Sequence, residues 1–187
     1  MTVKSLLLII LGGVLVNNYA LQKFLGVSPL LGCSGKDGKV ARMGLAVTLV
    51  MVLTAAAAWP VQVFVLEKLG LGYLQTLVFT AIILVVVYLV DLIIKKAMNM
   101  RLGVYFPLIA LNSAVLGLAV NNVSGGFNFV ESLAAALGTG LGFLFAMFIF
   151  SGVQSRIDDV HVPKAFRGLP VSLLAAGILS MALVAFK

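Results

Sequence analysis

Six long apolar stretches, separated by short polar connections, run along the chain at residues 5–21, 43–66, 69–90, 102–120, 132–153 and 169–186. A membrane-spanning helix needs about 20 mostly apolar residues to cross a hydrocarbon core of about 30 Å. Each stretch therefore predicts one spanning helix. The backbone in lipid must satisfy its own hydrogen bonds, so a continuous apolar run predicts helix. The runs do not alternate apolar with polar, which excludes a β-barrel. The connections are too short to hold a further domain, so residues 1–187 read as a single all-α membrane domain of six transmembrane helices.

Composition agrees with the pattern. Of 187 residues, 62% are hydrophobic and 10% are charged, against about 25% charged in a soluble domain. That is too few charges to cover a water-exposed surface. The formal net charge of +7 would suit nucleic acid only if the basic residues formed a continuous stripe. They lie instead in short clusters between apolar runs, which excludes that partner. Nine of the thirteen Lys and Arg fall in the connections after spans one, three and five: Lys36, Lys39, Arg42, Lys95, Lys96, Arg101, Arg156, Lys164 and Arg167. An excess of Lys and Arg marks the cytoplasmic side. These connections are expected to be cytoplasmic and both termini outside, as in a multi-pass protein of the cytoplasmic (inner) membrane, bathed in lipid. The connection at 121–131 holds no basic residue, in keeping with an outer face. The start, Lys4 and an apolar run, has no small-residue cleavage site and is kept as the first span. The one cysteine, Cys33, allows no internal disulfide.

A short motif occurs twice. SPLLG at 28–32 and SAVLG at 113–117 both read Ser-x-x-Leu-Gly, 85 residues apart. Each follows an apolar stretch containing asparagine: Asn17 and Asn18 before the first, Asn112 before the second. Equivalent points are three spans apart, and three is odd, so the halves cross the membrane in opposite senses. The result is a pair of inverted three-helix repeats, approximately 1–95 and 100–187. Such repeats place their sites near the midplane, at interrupted helices. Gly26, Pro29 and Gly32 would break span one; Pro107 and Gly117 bracket the break in span four. Two five-residue matches in a chain rich in Leu and Gly also arise by chance.

At these motifs the chain resembles the A subunits of Rnf complexes and, more distantly, the E subunits of sodium-pumping NADH:quinone oxidoreductases. The resemblance rests on VNNYALQKFLGVSPLLG (16–32), FPLIALNSAVLG (106–117) and FRGLPVSLLAAGILSMALVAF (166–186), with VVVYLVDLIIKK (85–96) also fitting. It covers nearly the whole chain. It implies a membrane subunit of an ion-translocating ferredoxin:NAD oxidoreductase complex, in which electron transfer drives sodium or proton transport. It also implies a homologous partner of opposite topology (E- or D-type) and further subunits carrying flavin and iron–sulfur centres. In the family each half-motif carries a cysteine, and two from each partner hold a [2Fe–2S] cluster at the midplane.

Here the matching positions are Ser28 and Ser113. Clusters are held by thiolates, and a serine hydroxyl is a poor ligand for iron at neutral pH. Losing two of four ligands should abolish an ordinary cluster. Cys33, five residues after Ser28, would replace one metal ligand only if its loop shifted; an inert apolar-flanked thiol is the simpler reading.

Asp91 is an acid at the end of an apolar span. The resemblance implies a role in ion transfer, and an interfacial pair with Lys95, four residues on, explains it equally well. Asn17, Asn18 and Asn112 either line the ion path beside the motifs or join helices by hydrogen bonds. Glu131 at the start of span five suits a helix N-terminus. His161 has no second ligand nearby in sequence and reads as a surface residue. The glycines of LGTGLGFLF (137–145) follow no strand, so they read as helix packing and not as a nucleotide loop. No catalytic set of soluble type is visible, so no catalytic residue is assigned within the chain. Two other functions fit the same residues: a cofactor-free secondary transporter or channel, and a purely structural component of the complex.

Overall fold

The computed structural model describes residues 3–16, 18–32, 37–98, 105–157 and 162–184, and these are mainly helical, with no strand among them. Helix α1 (Val3–Leu11) runs into a π-helical turn, Gly12–Val16. After the bend at 18–26 comes the short α2 (Val27–Gly32). Helix α3 (Asp37–Val61) continues through a second π turn, Gln62–Leu66, into α4 (Glu67–Leu69). Then follow α5 (Gln75–Met98), α6 (Tyr105–Ala110), α7 (Ser113–Ser124), α8 (Phe129–Gln154) and α9 (Leu169–Val184).

Four helical stretches among the described residues are long and apolar enough to cross a membrane: Val40–Leu69, Gly72–Ile93, Phe106–Ser124 and Phe129–Gln154; Leu169–Ala182 is a shorter apolar one. These fall on the second to sixth expected spans. The first differs. Its break was expected at Gly26, Pro29 and Gly32, beyond residue 21, but the described helix ends at Val16 and residues 18–21 are non-helical. The reason is Asn18. Its Oδ1 accepts from the backbone N–H of Ala20 (3.0 Å) and Leu21 (3.2 Å), so the side chain replaces the next helical turn. Phe24 (φ 52°) and Gly26 (φ 77°) then turn the chain back through left-handed conformations.

The second π turn follows Pro60, which lies inside α3. Proline has no N–H and its ring displaces the carbonyl four residues earlier, and π turns are where a helix absorbs such faults. Pro107 and Pro29 are less disruptive, because each lies in the first turn of its helix, α6 and α2.

Helix α8 is the centre of the bundle and packs most extensively on α3 and on α1 with its π turn. Small residues permit this. A Cβ on Gly138 would lie 2.7 Å from the Ile10 carbonyl oxygen, and one on Gly142 2.7 Å from that of Gly13. On the α3 side, the single hydroxyl hydrogen of Thr48 is shared between the Gly140 carbonyl at 3.0 Å and Gly44 O of its own helix at 2.8 Å. The glycines at 137–145 thus serve backbone approach between helices, the packing mode of membrane interiors. Outward-facing Leu8, Leu45, Leu77, Val85, Ile93 and Ile178 are exposed, as expected of surfaces solvated by lipid chains.

Candidate functional site

The bend that leads into the first Ser-x-x-Leu-Gly segment meets the start of the second. The backbone N–H of Gly26, two residues before Ser28, donates to Ser113 Oγ at 2.9 Å across 87 positions of sequence. Asn112 is the N-cap of α7, and its Oδ1 accepts from the Ala114 N–H at 2.9 Å. This fills one of the donor vacancies every helix start leaves. Gly26 rests directly on that cap. A Cβ there would lie 2.7 Å from Asn112 Oδ1, 2.7 Å from Phe143 Cε2 and 3.1 Å from Ala114 Cβ. One turn further, Gly117 leaves room for Leu25 and Tyr19. Helix α2 packs against α6 on the other side of the same junction.

Asn18 anchors the first interruption to α8. Its Nδ2 donates to Val14 O (3.1 Å) and to Gly142 O (2.8 Å), while Oδ1 takes the two N–H groups already named. Both amide hydrogens and both lone-pair directions are used, the full capacity of the side chain. A bend away from water needs this, since every unpaired backbone group in an apolar setting costs roughly several kcal/mol. Lys23 lies with its ammonium 4.2 Å from the centroid of the Tyr19 ring, a cation–π contact at the edge of the bend.

The junction thus brings together Ser113, Asn112 and the segment carrying Ser28, with Asn18 one contact away through Gly142 and Phe143 of α8. Ser28 and Ser113 are both exposed on the chain's outer surface, and Asn112 is buried. The Asn112 Nδ2 is buried with no hydrogen-bond partner among the described residues, so one donor at the junction stays unused there. Asp91 is half-buried near the C-terminal end of α5. Asn17, Cys33 and His161 lie outside the described residues. Glu131 sits at the third position of α8, where its carboxylate accepts the Asn128 N–H at 2.9 Å; this is a capping interaction, as its place in the sequence suggested.

The donors that the two motifs offer are serine hydroxyls, and Ser113 Oγ is already engaged as an acceptor. This donor set does not fit a cluster that requires thiolates. Sequence reasoning marked Gly26 as a helix breaker but missed its contact with Asn112 and Phe143. The glycine itself is the trace it leaves in the sequence, and a glycine names no partner.

Four apolar helices of spanning length, with a polar junction at Gly26, Asn112 and Ser113, define a polytopic membrane protein. The family model of the Rnf-Nqr subunit membrane proteins matches residues 6–187. The chain is 45% identical over 186 residues to the A subunit of the ion-translocating oxidoreductase complex of Syntrophotalea carbinolica, covering 98% of this chain and 96% of that one. It is 43% identical over 186 residues to the A subunit of the Na(+)-translocating ferredoxin:NAD(+) oxidoreductase complex of Acetobacterium woodii, covering 98% and 97%. The corresponding protein of Edwardsiella ictaluri is 42% identical over 184 residues, covering 97% and 95%. The chain belongs to the Rnf-Nqr family of membrane subunits.

Proposed function

We propose that this chain is the A-type membrane subunit of an ion-translocating ferredoxin:NAD oxidoreductase complex in the cytoplasmic membrane. The observation that carries the reading is similarity at 45% and 43% identity over 98% of the chain to two such subunits. Its six spans form two inverted halves with both termini outside. The exposed face around Ser28 and Ser113 receives a homologous subunit of opposite topology, and the unused Nδ2 of Asn112 supports a contact supplied from outside the chain. Asn17, Asn18, Asn112 and Asp91 belong to the ion route in this reading. Flavin and nicotinamide chemistry belongs to other subunits.

One observation favours a variant of the same role. With hydroxyls at both motif positions and one of them in a structural hydrogen bond, the chain acts here as the scaffold of the pair and holds no [2Fe–2S] cluster through Ser28 and Ser113.

Deleting the gene should abolish ferredoxin-dependent NAD reduction by membrane vesicles, and the plasmid-borne chain should restore it. The chain should copurify with an opposite-topology homologue. Iron content and low-temperature paramagnetic resonance of the reduced pair then decide the variant. A cluster signal that depends on the partner's cysteines would refute the scaffold variant. Vesicles that keep full activity without the chain would refute its place in the complex.

A further inference from the structure

A second polar site lies away from the serine junction, at the end of the bundle where α3 passes through its π turn and α7 turns into α8. It is a cavity of about 200 Å³ whose walls include Trp59, Gln62, Glu67, Asn122, Asn128 and Ser132. That is room for several waters, each about 30 Å³ in the liquid. Gln62, Asn122 and Ser132 are 7%, 5% and 1% exposed, yet Gln62 Oε1, Asn122 Oδ1 and Ser132 Oγ have no hydrogen-bond partner among the described residues. Three unpaired oxygens on one small cavity are unusual, because buried polar atoms are almost always satisfied.

The orientation of both amides follows from their other ends. Gln62 Nε2 faces the Glu67 carboxylate at 3.4 Å, and Asn122 Nδ2 faces the Ser132 carbonyl at 3.3 Å. Both partners are acceptors only, so the nitrogens belong there and the carbonyl oxygens are left for the cavity. Glu67 adds a carboxylate to the lining. Lined by two amide carbonyls, a hydroxyl and a carboxylate, the cavity offers oxygens and a negative charge. Hard cations take oxygen ligands of this kind. The wall opposite is fixed by Trp59, whose indole N–H donates to the Phe127 carbonyl at 3.0 Å and whose ring meets Phe129 edge-on at 5.5 Å.

We propose that this cavity is a binding site for an alkali-metal cation, sodium in size and charge, held by Gln62 Oε1, Asn122 Oδ1, Ser132 Oγ and Glu67. The π turn is the device that makes it: a widened turn beginning at Gln62 re-aims that side chain toward α7. The site lies beside the connection free of basic residues, so the ion is exchanged at the face opposite the clustered Lys and Arg. The proposal deepens the reading of the chain as part of an ion-translocating complex and rests on it for the assembly in which it is tested.

Equilibrium binding of radioactive sodium to the purified complex in nanodiscs tests it. Asn122→Leu, which fills the site with an apolar group, should remove one sodium per complex. Glu67→Gln, at an exposed carboxylate where folding is insensitive, should weaken the same sodium roughly tenfold, about 1.4 kcal/mol. Unchanged sodium stoichiometry and affinity in both variants would overturn the proposal and leave a water-filled cavity. Sodium binding that responds to both variants supports the site even in a preparation without ferredoxin:NAD activity, a result that counts only against the proposed role in the complex.

Discussion

Replacing Gly26 by alanine tests whether the serine junction is as tightly interlocked as its geometry indicates. Two costs arise. Gly26 has φ 77°, and an L-residue there costs roughly 1–2 kcal/mol. The new methyl would also lie 2.7 Å from Asn112 Oδ1 and 2.7 Å from Phe143 Cε2. Something must move, and either choice is costly. Shifting Asn112 weakens the cap on Ala114, and such a cap contributes about 0.5–2 kcal/mol. Shifting Phe143, fully buried on α8, is overpacking, about 1–3 kcal/mol. The chain supplies its own control. Gly70 has φ 66° with nothing within 4 Å of a built Cβ, so Gly70→Ala meets the conformational cost alone. Reversible unfolding of the detergent-solubilised protein by a denaturing detergent should show Gly26→Ala about 1–3 kcal/mol less stable than Gly70→Ala, on the overpacking scale. Equal losses in the two variants would refute the packing argument and leave only backbone strain.

Ser113→Ala strips the acceptor from the buried Gly26 N–H and should cost about 1–3 kcal/mol in the same assay, the usual penalty for an unsatisfied buried donor. Ser113→Cys should cost less, since a thiol is still a weak acceptor; an alanine variant as stable as wild type would mean that the N–H finds another partner. Gly142→Ala pushes a methyl to 2.7 Å from the Gly13 carbonyl and stretches the Asn18 bond to Gly142 O. It should destabilise by about 1–3 kcal/mol, and crosslinking between cysteines placed on α1 and α8 should slow as the helices separate.

Much of this architecture is legible in the sequence because hydropathy reports length, and length is what a bilayer selects. The stretches expected at 43–66, 69–90, 102–120 and 132–153 all fall on helices long enough to span. Glu131 marks the start of α8 in sequence as in structure, because a carboxylate three residues into a helix reaches back to its first free N–H. The glycines at 137–145 carried their meaning in their spacing. What hydropathy cannot read is hydrogen bonding that depends on distant partners. Residues 19–21 are Tyr, Ala and Leu, fully compatible with helix, yet Asn18 overrides them with bonds that end on Gly142. Pro60 foreshadows a fault near Gln62–Leu66, but not that a π turn absorbs it, and the hydropathy of 12–16 gives no sign of the first π turn. The oxygens of Gln62, Asn122 and Ser132 meet only after α3, α7 and α8 pack, and in sequence each is one polar residue in an apolar run.

Ser113 illustrates how one side chain can close a helix interruption. A helix interrupted inside a membrane leaves N–H and C=O groups with no water to take them. In this chain the interruption after Val16 is closed by Asn18, and the start of α7 is closed by Asn112. The bend between them leaves the Gly26 N–H, and Ser113 Oγ closes it at 2.9 Å. Hydroxyl oxygen accepts well at this distance, whereas sulfur is a weak acceptor. A chain with serine at this position therefore holds its two interrupted segments together by itself. Oxygen at this position therefore makes a firmer junction than sulfur would. Ser113 thus serves the fold directly, through the hydrogen bond that joins the bend at Gly26 to the start of α7.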